Sequence, residues 1–154
     1  MAASITLKKV GKLIGKKTIL AGLSFGIEKG SLVAIVGLNG AGKTTLLKLL
    51  SGFENPNYGQ VFIHGLDMNK RRNETRKLVG YVPYENDLDP WLSLRENILF
   101  NAELYKVNTE IASKRIEKFS RLLDFRDQLD QTAHKVSGGI HKKTMIVRGL
   151  IHNP

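Results

Sequence analysis

The pattern of apolar and polar positions changes character once along the chain, near Pro83. Before it, the texture is mostly that of strands. Ser4–Val10 and Ile19–Ile27 alternate with period two, the second placing Ile19, Leu23, Phe25 and Ile27 on one face, which predicts two half-buried strands of an antiparallel sheet joined through a turn at Lys12–Lys17. Glu28-Lys29-Gly30 reverses the chain into Ser31–Val36, an apolar, β-branched run that reads as a buried parallel strand. Thr44–Ser51 is rich in helix formers and is stopped by Gly52. The turn-dense Asn55-Pro56-Asn57-Tyr58-Gly59 leads to a strand over Gln60–His64 and a turn at Gly65. A short helix over Arg71–Lys77 then feeds a strand over Leu78–Val82.

Beyond Pro83 the pattern is helical. Ser93-Leu94-Arg95-Glu96 is a capping-box sequence, with Ser93 placed to accept from first-turn amides and Glu96 to reach back, opening a helix to about Lys106. A second helix begins near Thr109, with Ala112, Ile116, Phe119 and Leu123 at helical spacing. A third starts at Ser137 and carries Ile140, Thr144, Val147 and Ile151 on one stripe.

Composition narrows the class. With 154 residues, 42% hydrophobic and 25% charged, the chain can bury one core and is expected to be a single soluble domain or part of one. The absence of cysteine excludes a disulfide framework and a thiolate metal site, and fits a reducing compartment. No apolar core follows a basic start at the N-terminus and no long apolar stretch occurs, so a membrane role requires a partner. The net charge of +10 is compatible with nucleic acid, anionic lipid or a highly charged ligand. The basic residues are dispersed in pairs such as Lys8-Lys9, Lys16-Lys17, Arg71-Arg72 and Lys142-Lys143 without interleaved aromatics, which favours a solvated surface.

Two segments carry candidate chemistry. Gly37–Thr44 reads G-L-N-G-A-G-K-T, an uninterrupted match to the phosphate-binding pattern G-x-x-x-x-G-K-[ST], between the expected strand and helix. Gly37, Gly40 and Gly42 are expected to take positive φ, so that consecutive amides face phosphate oxygens. Lys43 is expected to reach the β- and γ-phosphates and Thr44 to ligate Mg²⁺, with the helix N-terminus adding partial positive charge. Val136-Ser137-Gly138-Gly139 is a second anion-binding design: a serine hydroxyl, two glycines and free amides at a helix start. Taken alone it is as well described as a common serine N-cap.

The string Lys135–Pro154 resembles the signature helix of ATP-binding-cassette (ABC) ATPases, where L-S-G-G-Q opens a helix running to an A-R-A-L-x-x-x-P ending. With G-L-N-G-A-G-K-T-T at Gly37–Thr45, G-Y-V-P at Gly80–Pro83 and L-S-L-R-E-N-I-L-F at Leu92–Phe100, the resemblance covers essentially the whole chain in the family's order. Glu96–Tyr105 is most similar to drug- and polymer-exporter members. The resemblance implies an α/β P-loop NTPase fold of ABC type, with an antiparallel β subdomain, an incomplete α/β core and a helical subdomain. Residues 1–83 would hold the β subdomain and the start of the ATP-binding core, and residues 84–154 the mainly helical subdomain. ATP and Mg²⁺ are the implied cofactors. Gly37, Asn39, Gly40, Gly42, Lys43, Thr44 and Thr45 would contact the ATP phosphates, with Thr44 on Mg²⁺. Ser137, Gly138 and Gly139 would cover the ATP of a second such domain paired head to tail. A transmembrane subunit is the implied membrane partner, giving a cytoplasmic protein peripheral to the membrane, without direct insertion, that acts in ATP-driven export. Two other readings stay open: a soluble ABC-type ATPase acting on nucleic acid or ribosomes, supported by the charge alone, and a non-enzymatic interaction fragment. Nucleic acid is the less expected partner.

Departures from the family's pattern sharpen these expectations. Ile14 stands where the family usually has an aromatic ring against adenine, and Tyr84 stands where a Mg²⁺-sensing glutamine follows G-Y-V-P. Val136 and Ile140 replace the leucine and glutamine of L-S-G-G-Q. The family continues past the position of Pro154 into a strand ending in Asp-Glu and then a histidine on the γ-phosphate. His134, His141 and His152 cannot be relabelled as that histidine and are expected at a solvated surface. Hydrolysis needs a positioned water and a group to take its proton, so the chain is expected to bind nucleotide without turning it over.

Overall fold

In the computed structural model, which describes residues 3–85 and 87–154, strands β1 (Ala3–Ile14) and β2 (Lys17–Glu28) pair antiparallel across the two-residue turn Gly15-Lys16. β3 (Tyr58–Ile63) pairs antiparallel with the other edge of β1, and the short β4 (Leu66–Asp67) with β3, giving the order β2-β1-β3-β4. The β1–β2 register advances from Val10↔Leu23 to Lys12↔Leu20, which leaves an extra residue on β2 beside Gly22. An extra residue reverses the side on which later side chains emerge. The slip brings Leu20 into the core although it lies off the face expected from Ile19, Leu23, Phe25 and Ile27, and of that face Phe25 stays exposed.

Helix α1 (Lys43–Leu50) packs Leu46, Leu49 and Leu50 onto this sheet, against Leu7, Val10, Val61 and Ile63. Spacings of three and four residues put these leucines on one helix face. The helix ends in a left-handed glycine cap: Gly52 has φ +72°, its amide donates to Leu49 O at 3.1 Å, and that of Phe53 donates to Lys48 O at 2.9 Å. The Gly52 carbonyl in turn accepts from Arg72 Nη2 at 2.7 Å and Arg76 Nη2 at 2.8 Å, both on helix α2 (Arg72–Arg76).

Two expected strands do not form. Ser31–Val36 has no regular structure, and Leu32, Val36 and the following Leu38 are 101%, 90% and 85% exposed. An apolar run becomes a buried strand only when another strand pairs with it, and none of the described strands does. Leu78–Val82 is likewise irregular.

The chain divides into two compact units, Met1–Val79 and Gly80–Pro154. The second is helical: α3 (Leu94–Leu104), α4 (Thr109–Leu122) and α5 (Gly138–Leu150), with 3-10 turns at Arg126–Gln128 and Ala133–Lys135. Leu94, Ile98, Ala112, Ile116, Met145 and Val147 form its centre, and Gly80 lies against the Gly149 backbone, which leaves no room for a Cβ at residue 80. The expected capping box is present, Ser93 Oγ accepting from the Glu96 amide at 3.1 Å and Glu96 Oε2 from the Ser93 amide at 2.8 Å. Buried Asn97 accepts from the Asp89 amide at 2.8 Å and donates to the Ser93 carbonyl at 3.0 Å, pinning the preceding loop to α3.

Charge is divided unevenly between the units. Met1–Val79 holds 13 lysines and arginines against 4 aspartates and glutamates, whereas Gly80–Pro154 holds 11 against 10. Nearly all of the net positive charge therefore belongs to the first unit.

Candidate functional site

The loop Gly37–Gly42 reaches α1 through Gly42, which has φ +89° and is the residue preceding the helix. A Cβ there would lie 2.9 Å from Leu20 Cδ2 and 3.2 Å from the Ile19 carbonyl oxygen, so β2 packs directly on the bare glycine backbone. Gly40 also has positive φ, +80°, and a Cβ on it would meet nothing within 4 Å. Gly37 differs from expectation: its φ is not positive, and a Cβ added there would make only ordinary contact with Ala41 Cβ at 3.4 Å. Ala41 N donates to Leu38 O at 3.2 Å and closes the turn.

No side chain caps α1, and its first internal bond runs from Leu46 N to Gly42 O at 2.8 Å. The amides of Lys43, Thr44 and Thr45 therefore have no helical carbonyl ahead of them, and they point outward with the positive end of the helix dipole. Lys43 Nζ donates to Gly37 O at 2.7 Å and to Leu38 O at 2.8 Å, which leaves one of its three donor hydrogens for a ligand. A cleft of about 400 Å³ opens here, lined by Lys17, Ile19, Asn39, Gly40, Gly42, Lys43, Thr44 and Thr45. Six of the seven residues expected on phosphate thus share one cleft, and Gly37 lies behind it as the acceptor for Lys43. Free amides, two ammonium groups, an open glycine backbone and two hydroxyls fit a polyphosphate. Among the described residues no group of three or more His, Asp or Glu side chains is arranged to hold a metal ion.

Lys17 and Ile19 were not among the residues that the sequence picked out. They come to the loop because the two-residue turn starts β2 at Lys17 and the Gly42 contact seats β2 on the loop. Only the paired Lys16-Lys17 and the turn beside it were available in the sequence as signals. Ile14, at the end of β1, is exposed and is not one of the lining residues.

In the second unit Ser137 caps α5, its Oγ accepting from Ile140 N at 3.4 Å, and Ser137, Gly138 and Gly139 are all exposed. A Cβ on Gly138 would meet nothing within 4 Å, so this helix start is open to an anion. His141 Nε2 lies 2.5 Å from the Ala133 carbonyl, which ties the first turn of α5 to the 3-10 turn before it. His152 is half-buried and stacks on Tyr105 with ring centroids 3.9 Å apart. These two histidines are therefore part of the packing and not the solvated groups expected; His134 is exposed, with Nδ1 2.9 Å from Pro90 O. Tyr84 is exposed, with Lys142 Nζ 5.8 Å from its ring centroid and 2.9 Å from the Pro83 carbonyl. Burial, and then the nearby Asp87 and Glu85 carboxylates, push the Tyr81 hydroxyl above its ordinary value, so it stays neutral at pH 7. A larger groove of about 920 Å³ lies along α3 and the start of α4, lined by Leu92, Phe100, Glu103, Val107 and Ala112 among others, and contains none of the residues expected to bind ATP.

Comparison with known proteins places these features in a context. The ABC transporter family matches residues 20–154. The Fe(3+) ions import ATP-binding protein FbpC of Vibrio cholerae is 32% identical over 150 residues, 97% of this chain and 42% of that protein. The Nod factor export ATP-binding protein I of Burkholderia lata is 31% identical over 152 residues, 99% of this chain and 50% of that protein. The dimeric structure of MJ0796, a bacterial ABC transporter cassette, superimposes with a TM-score of 0.85 at 26% identity, covering 97% of this chain and 70% of that one. The chain spans about half the length of these two curated relatives.

Proposed function

The chain belongs to the ABC transporter family of ATP-binding domains and has the P-loop ATPase fold of that family, and from this premise we propose that it binds Mg-ATP at Gly37–Thr45 as the nucleotide-binding part of a transport ATPase. The observation that carries the reading is the cleft in which Asn39, Gly40, Gly42, Lys43, Thr44 and Thr45 meet at the uncapped start of α1. Helix amides and the Lys43 ammonium hold the phosphates, and Thr44 shares the metal with them. Bound Mg²⁺ would supply charge neutralisation between phosphate oxygens. The cleft lining holds no Asp, Glu or His to take a proton from water, which supports a reading of nucleotide binding without turnover by this chain.

Partnership follows the same reading. Exposed Ser137, Gly138 and Gly139 at the start of α5 suit a phosphate carried by a second such domain, and the dimeric state of MJ0796 supports a pair. We place the coupling to transport on a membrane partner; no helix among the described residues is itself long and apolar enough to cross a membrane. Relatives named for import and for export match this chain at 32% and 31% identity.

Calorimetric titration of the full chain with Mg-ATP tests the assignment. Lys43→Ala is expected to weaken binding by about 2–4 kcal/mol, the scale of a charge-assisted phosphate contact. Unchanged affinity in that variant removes the phosphate-loop assignment.

A further inference from the structure

We propose that Lys17 is a second cationic ligand of the polyphosphate, and that this site selects its nucleotide by phosphate charge and not by base. The inference rests on the phosphate-site reading above and deepens it. Sorted by chemistry, the side chains lining the cleft are two ammonium groups (Lys17, Lys43), one amide (Asn39), two hydroxyls (Thr44, Thr45) and one aliphatic group (Ile19). There is no carboxylate to oppose a polyanion and no aromatic ring. Selecting one base over another needs a plane to stack on and donors and acceptors matched to the base edge. Ile19 offers an apolar face that any base can cover, and a lone amide cannot read a purine edge against a pyrimidine edge.

The phosphate side of the cleft is far better supplied. Lys17 opens β2, paired in register with Ile14, so the two-residue turn and the ladder fix where its stem starts. The contact of Gly42 with the Ile19 carbonyl then fixes β2 against the loop, and with it the distance from the Lys17 stem to the start of α1. Two other lysines of this unit are engaged: Lys12 pairs with Glu54 at 3.1 Å, and Lys43 donates to two carbonyls. Lys17 is exposed, with no hydrogen bond or ion pair from its ammonium among the described residues, so meeting a phosphate costs it no existing partner. The excess of 13 basic over 4 acidic residues in this unit adds a field of the same sign, which raises the local concentration of highly charged anions whatever base they carry.

The test is equilibrium titration of the full chain with the Mg²⁺ complexes of ATP, GTP and UTP and with inorganic triphosphate, at fixed ionic strength. Dissociation constants for the three nucleotides are expected to agree within about threefold, with inorganic triphosphate displacing each of them. Lys17→Gln is expected to weaken all of these ligands by a similar factor, about five- to tenfold, to leave AMP almost unaffected, and to be rescued by Lys17→Arg. Far-UV circular dichroism of Lys17→Gln is expected to match the parent, because the side chain is exposed. If Lys43→Ala weakens binding while Lys17→Gln does not, the phosphate loop stands and Lys17 is no ligand. If GTP and UTP bind more than about thirtyfold more weakly than ATP, the base is being read and selection by charge is overturned. If neither lysine substitution changes any affinity, the phosphate-site reading itself fails and takes this inference with it.

Discussion

Lys43 turns its ammonium back onto the carbonyl oxygen of Gly37, 2.7 Å away, so the loop's lysine ties its end to its first residue. The bond is exposed, and a solvated contact of this kind contributes little to folding. Lys43→Ala is therefore expected to lower unfolding stability by no more than about 1 kcal/mol while weakening ATP by about 2–4 kcal/mol. Denaturant unfolding beside titration separates the two effects. A stability loss as large as the affinity loss would mean that the lysine holds the loop together and does not serve the ligand.

Gly42 meets two demands at once. Its φ of +89° is disfavoured for any residue with a Cβ, and the Cβ would also crowd Leu20 and the Ile19 carbonyl. Gly42→Ala is expected to cost about 1–3 kcal/mol in stability and to turn the α1 amides away from the cleft, so that ATP affinity falls although no phosphate ligand has been removed. Unaltered unfolding and affinity in this variant would contradict the packing of β2 on the loop.

In the helical unit, Arg126, at 2.7 Å, and then Arg95 hold the Glu117 carboxyl below its ordinary value, and Arg95, at 2.7 Å, does the same for Asp130. A carboxylate with a depressed folded pKa stabilises the fold above its unfolded value, and that contribution is lost as pH falls through the folded one. Stability is thus expected to be level from pH 7 to about 5 and to decline below about 4, where the unfolded carboxylates protonate first. The single tryptophan, Trp91, lies in this unit and reports its unfolding by fluorescence. Glu117→Gln is expected to flatten the acid decline, and an identical pH profile in that variant would show that the ion network contributes nothing.

The run from Leu32 to Leu38 exposes four large apolar side chains, Leu32, Val33, Val36 and Leu38, on a backbone without ladder hydrogen bonds. Covering each is worth roughly 1.5–3 kcal/mol, and unpaired extended backbone recruits further strands. The chain is expected to self-associate at micromolar concentration, and Leu32→Lys with Val36→Glu to restore a monomer without loss of the sheet. Light scattering across a concentration series checks this. A parent chain that stays monomeric at high concentration would overturn it.

What the sequence determined by itself is the set of features whose cause is local. The Ser93 and Glu96 capping box, the end of α1 at Gly52, the start of α5 after Ser137 and the positive φ of Gly40 and Gly42 each depend on a few adjacent residues, and each stands where the sequence put it. The family resemblance has the same origin, because short motifs in fixed order carry it. Pairing and burial are different, since they depend on partners far away in the chain. The extra residue on β2 that buries Leu20 is invisible to a period-two pattern, because alternation cannot say where a ladder slips. Ser31–Val36 has the composition of a buried strand and remains unpaired, because composition states what a segment can pack against and not whether a neighbour is there. Lys17 joins the phosphate cleft only through a tight turn followed by backbone contact at Gly42. That placement was decided by tertiary structure.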